Sequence, residues 1–170
     1  DKVAKTAGVS KATVYSYFGD KESLFNALIQ NLAKDKFQTA MILQESESAE
    51  KEPKLVLQQL ATKILENGMK DRTFQNFIRI IIGESGRFPE LAQAYVNNLA
   101  KPAIKMLTQY FKSHPELNLP DAEATVRVFM GTLVYYMMLQ ELMHGQDIIP
   151  LESDRLVNTL TDLITTNKGK

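Results

Sequence analysis

The chain contains no cysteine, and only two of its 170 residues are histidine. Without cysteine there can be no disulfide and no thiolate metal site, which fits a reducing, cytoplasmic setting. His114 and His144 lie far apart, and no zinc spacing, phosphate-binding glycine loop or nucleophile elbow occurs. Glu141 and His144 stand three apart on one helix and could share a metal, but a helix C-terminus equally accounts for a histidine there, so neither metal nor cofactor is expected. An enzyme has no visible foothold. Excess charge is missing too, since 20 basic residues balance 20 acidic ones. Any grip on nucleic acid must therefore come from a local patch rather than from the whole chain. No run of about 18 uncharged apolar residues marks a membrane-spanning helix. No signal peptide, internal repeat or convincing strand pattern is visible. What remains is an ordinary folded-protein composition, with room for one large core or two small units.

The most informative stretch is residues 1–24, DKVAKTAGVSKATVYSYFGDKESL. Val3, Ala4 and Ala7 give a short first helix a small apolar face. Gly8 suits the positive φ of a helix-ending turn. Ser10 is a good N-cap for a second helix, in which Val14 and Phe18 lie one turn apart and face inward. Lys11, Thr13, Tyr15, Ser16 and Tyr17 are then left facing solvent. So many hydrogen-bonding side chains on one short helix, two of them aromatic, suit a helix lying in a major groove between phosphate walls. Lys2, Lys5, Lys11 and Lys21 give the segment a mild positive bias.

These same residues resemble the N-terminal signature of TetR-family transcriptional regulators. The resemblance runs through Ala4, Ala7-Gly8-Val9-Ser10, Thr13-Val14-Tyr15, Tyr17-Phe18, Asp20-Lys21-Glu22 and Leu24. It implies that Lys11, Ala12, Thr13 and Ser16 meet base edges. Tyr15, Tyr17 and Lys21 would hold phosphates, with Lys2, Lys5 and Thr6 as further backbone contacts. It also implies a helix ahead of Asp1 that completes the small core beneath the helix-turn-helix.

The rest of the chain reads as helical. Asp20 is an N-cap, and Leu24, Leu28 and Leu32 with Phe25 and Ile29 predict a connecting helix into the early 40s. ESESAEKEP (45–53) reads as a loop. Pro53 opens a helix ending near Gly68, and Asp71 caps another to about Ser85. A helix from Pro89 to about His114 contains Pro102, which should kink or interrupt it. The next spans 121–144 with Gly145 as its stop, and a last one runs from about Ser153 to Thr166. This is an all-α chain: residues 1–44 as a helix-turn-helix domain with its connecting helix, and 45–170 as a regulatory domain.

The segment Arg79 to Leu91, RIIIGESGRFPEL, is similar to the C-terminal regulatory domains of AefR-like members of the same family. Together the two resemblances imply a homodimeric repressor that binds a palindromic operator in double-stranded DNA and is released by a small effector. The helix 121–144 is apolar nearly all round, so both faces need cover, and a two-fold seam supplies it. Phe129, Thr132, Leu133 and Tyr136 fit that seam, completed by Leu156, Val157, Leu160 and Leu163. Phe74, Phe77, Ile78, Ile81, Tyr95, Met106, Tyr110, Tyr135 and Met138 are candidates to line an effector cavity, whose apolar and aromatic character argues for a largely apolar ligand. The alternative is a helical dimerisation or ligand-binding module without specific operator recognition.

Overall fold

The computed structural model describes residues 2–35, 42–43 and 51–166. Three helices come first: α1 (Lys2–Thr6), α2 (Lys11–Phe18) and α3 (Lys21–Asp35). Six follow: α4 (Pro53–Lys70), α5 (Arg72–Glu84), α6 (Pro89–Tyr95), α7 (Lys101–Lys112), α8 (Ala122–Met137) and α9 (Ser153–Thr165). The described residues contain no strand. Residues 36–41 of the expected connecting helix, and most of the loop 45–53, lie outside the described residues.

The helix starts follow from local chemistry. Asp71 ends α4 and caps α5, its carboxylate accepting from the Phe74 N–H at 2.9 Å. Asp121 does the same for α8 through the Ala124 N–H at 3.0 Å. Pro53 and Pro89 occupy first turns, where a missing N–H costs nothing.

Two widened turns were not expected. Between α6 and α7, residues Val96–Ala100 form a π-helical turn. Pro102 lies just after it, and a proline inside an unbroken α-helix would clash with the carbonyl four residues back. The wide turn absorbs that conflict, and the helix from Pro89 is interrupted next to Pro102, as expected. A second π-turn, Met138–Leu142, continues α8. There His144, not Gly145, takes the left-handed conformation, with φ 57°. Gly145 is needed for space: a Cβ there would sit 2.7 Å from the Leu139 carbonyl oxygen.

Two apolar clusters hold the helices. The larger lies between α4, α7, α8 and α9, and includes Leu57, Leu60, Leu107, Phe129, Leu133 and Leu160. The smaller joins α3 to α5 and α6: Ile29, Phe77 and Ile81 are buried, with Phe25, Phe74, Ile78 and Tyr95 packed against them. It is this second cluster that seats the connecting helix on the rest of the molecule.

Candidate functional site

The first unit is built on two turns. Gly8 at φ 67° and Gly19 at φ 76° both occupy conformations that residues with a Cβ rarely adopt. Gly8 lets the Val9 N–H return to the Ala4 carbonyl at 3.0 Å, closing α1. Ser10 then starts α2: its Oγ accepts from the Thr13 N–H at 3.0 Å and lies 2.8 Å from the Thr13 hydroxyl. Gly19 ends α2 by donating to the Tyr15 carbonyl at 2.8 Å.

The side chains of α2 divide as the spacing predicts. Val14 and Phe18 are half-buried. Lys11, Ala12, Thr13, Tyr15, Ser16 and Tyr17 are exposed, Tyr17 by 85%. The Lys11 ammonium stands 5.9 Å from the centre of the Tyr15 ring, within cation–π range. Asp20 caps α3 by accepting from the Ser23 N–H at 2.7 Å. That backbone hydrogen bond, with help from the Ser23 hydroxyl, holds its carboxyl below the usual aspartate value. Lys21 opens α3, but its side chain lies outside the described residues, as does that of Lys2.

The cavity candidates separate into two groups. Phe74, Ile78, Ile81, Tyr95 and Met138 line one cavity of about 170 Å³, together with Gly68, Gln75, Ile82, Val134, Met137 and Leu142. Phe77 lies beside it, stacked on Phe25 of α3 at 5.6 Å and tilted against Tyr95 at 6.2 Å. Burial pushes the Tyr95 hydroxyl above its ordinary pKa. Met106 and Tyr110 belong instead to the large core, Tyr110 packing on His114 with ring centres 4.3 Å apart. Tyr135 is 62% exposed and lines none of this cavity. Periodicity placed these three on apolar faces without saying which face met the cavity.

Gly68 and Gln75 carried no distinctive sequence signal. Gly68 lets α4 approach α8, since a Cβ there would overlap the Met137 sulfur. Gln75 is buried, and its amide nitrogen donates to the Gly68 and Met69 carbonyls at 3.1 and 2.7 Å. A polar hollow on the other side of Gln75 is lined by Lys70, Arg72, Arg79, Glu141 and His144. Arg79 is already engaged there, donating to the Glu141 and Leu142 carbonyls at 3.2 and 3.3 Å and to Asn76 at 3.2 Å.

The expected seam residues need correction. Phe129, Leu133, Tyr136 and Leu160 are buried in the chain's own core, and Tyr136 donates to the Leu151 carbonyl at 2.6 Å. Thr132, Leu156 and the edge of Leu160 line a surface groove of about 460 Å³ between α8 and α9, joined there by the expected Leu163. The exposed apolar residues here are Val128 (60%) and Leu163 (73%). On a helix apolar nearly all round, spacing alone cannot tell an internal face from an external one.

Among the described residues no group of three or more His, Asp or Glu could hold a metal, and no helix is long and apolar enough to cross a membrane. A capped helix-turn-helix with a polar recognition face, carried on an all-helical body with an apolar cavity, defines a helix-turn-helix transcriptional regulator. Residues 1–28 match the family of bacterial regulatory proteins called tetR, and residues 55–165 match the C-terminal domain of AefR-like transcriptional repressors. The chain belongs to the TetR family. A structure described as a TetR-family transcriptional regulator from Mesorhizobium loti is 22% identical with TM-score 0.74, covering 96% of this chain and 83% of that one. The flavonoid-responsive regulator FrrA is 27% identical with TM-score 0.62, covering 93% of this chain and 78% of that one. Comparison with curated proteins gave no match.

Proposed function

We propose that this TetR-family regulator is a cytoplasmic homodimeric repressor, bound to a palindromic operator and released by a small, largely apolar effector. The observation that carries the reading is α2: a properly capped helix whose outward side chains are Lys11, Ala12, Thr13, Tyr15, Ser16 and Tyr17, none of them needed to hold the fold. Lys11, Ala12, Thr13 and Ser16 read bases, and Tyr15, Tyr17 and Lys21 grip phosphates. Residues 1–44 act as the DNA-binding unit with its connecting helix, and 45–170 as the regulatory unit.

The effector occupies the cavity between α4, α5, α6 and α8, with Phe74, Ile78, Ile81, Tyr95 and Met138 in its wall. The likeness to a flavonoid-responsive regulator supports an aromatic ligand, although a flavonoid itself would need the cavity to enlarge. The dimer seam runs along the groove: Val128 and Thr132 of α8 and Leu156 and Leu163 of α9 meet their copies in the partner subunit. Effector binding shifts α5, which carries both cavity residues and the contact to α3. The connecting helix then tilts, and the two recognition helices lose the spacing of successive major grooves.

Selection from random duplex DNA at fixed, near-physiological salt tests this. An inverted repeat is the expected outcome. Recovery of no common sequence would instead favour a helical dimerisation or ligand-binding module.

A further inference from the structure

We infer that the cavity selects a neutral, single-ring aromatic molecule, such as an alkylbenzene or a simple phenol, and rejects both carboxylates and fused-ring ligands. The inference deepens the effector reading above and rests on it.

Size comes first. A buried space of about 150 Å³ walled by leucine, isoleucine and phenylalanine holds benzene. The space here is about 170 Å³, walled by Phe74, Ile78, Ile81, Met137 and Met138 among others and partly open to solvent beside the exposed Ile82 and Val134. One ring with one small substituent fills it. A second fused ring requires the walls to move, and those walls are also packing residues: Ile81 is buried in the cluster that seats α3.

Charge comes next. The wall contains no Lys, Arg or His. Its polar side chains are Gln75 and Tyr95, and the Gln75 amide nitrogen is spent on two main-chain carbonyls. A carboxylate entering this space would lose much of its hydration against an apolar wall without a counter-ion, which is unfavourable. The nearby cations do not rescue it. Lys70, Arg72 and Arg79 line the hollow on the far side of Gln75, and Arg79 caps the carbonyls at the end of α8. A neutral hydroxyl is tolerated, because a phenol keeps a proton to donate and leaves no charge behind.

The test uses direct binding of ligand to the protein without DNA, by titration calorimetry and ligand-observed NMR. The probes are toluene, p-cresol, benzoate and naphthalene. Saturable binding of toluene and p-cresol, with benzoate and naphthalene at least about tenfold weaker, is expected, since a single misfitting group in an apolar pocket is worth that much. Benzoate binding as tightly as toluene overturns the charge argument, and naphthalene binding as tightly overturns the size argument. If none of the probes binds, the cavity is not such a site. Two variants locate the binding. Ile78→Ala should enlarge the space and bring naphthalene to within reach of toluene. Val134→Phe, at a partly exposed position on the cavity wall, should weaken toluene without unfolding the chain. Unchanged affinities in both variants place the ligand elsewhere and overturn the inference. A protein that holds a specific operator yet ignores toluene and p-cresol fails this inference alone. One that binds them but selects no operator fails the repressor reading alone.

Discussion

Ser10 supports the recognition helix through one oxygen atom. Its Oγ satisfies the Thr13 N–H and sits within hydrogen-bond distance of the Thr13 hydroxyl. Removing a cap of this kind costs about 1 kcal/mol. Ser10→Ala should therefore lower thermal stability by that amount and weaken binding to every DNA sequence, whereas Ser10→Asp should retain the helix. The same contact bears on Thr13, whose methyl group remains free to meet a thymine. Thr13→Ala should change sequence preference in a selection experiment. Lys21→Ala should weaken specific and random DNA alike and reduce the salt slope. Equal effects of both substitutions on both kinds of DNA would contradict that division of labour. Asp20 makes a pH prediction. Its folded pKa is depressed below the ordinary value, so its contribution is present above the unfolded pKa near 4 and is lost as pH falls through the folded value. Asp20→Asn keeps a capping oxygen, so it should flatten the acid limb of the stability curve. An unchanged acid limb would mean that other carboxylates set it.

Among the elements, α5 holds the central position. Phe74, Ile78 and Ile81 face the cavity, while Phe77 stacks on Phe25 of the connecting helix. Phe77→Ala should cost about 3 kcal/mol or more from the lost core volume. It should also uncouple the two units: effector still binds, but operator affinity no longer responds to it. Parallel titrations of ligand and operator measure this, and an intact response would put the relay elsewhere. The elements themselves were largely legible in the sequence, because their starts are written in local chemistry: Ser10, Pro53, Asp71, Pro89 and Asp121 each mark a helix by satisfying or removing a terminal N–H. The π-turns were not legible. Pro102 announced a disturbance, but its form depended on how α6 and α7 pack, and at the expected stop the left-handed residue is His144 while Gly145 allows a close backbone approach. The cavity was half legible for a similar reason. Hydrophobic spacing marks a buried face but not whether the space beside it is filled. Met106 and Tyr110 share the same spacing and fill the large core instead.

At the level of the whole molecule, the proposed repressor works as two copies. Two recognition helices must sit about one DNA turn apart to enter successive major grooves. Val128 and Leu163 border the groove between α8 and α9, and neither is needed inside the chain. Val128→Arg combined with Leu163→Arg should yield a monomer in sedimentation with little loss of thermal stability, and operator binding should fall with it. A persisting dimer would move the seam to another face. Phe129→Arg, by contrast, should unfold the chain, because that ring is wholly buried in the core. The central claim is sequence-specific recognition by the exposed face of α2. Its most direct test is the affinity of the protein for the selected duplex and for a scrambled duplex of equal length at one salt concentration. The account predicts a ratio of about 10³ or more, reduced in Lys11→Ala and Thr13→Ala but retained in Tyr17→Ala, which weakens both duplexes alike. A ratio near one would contradict it.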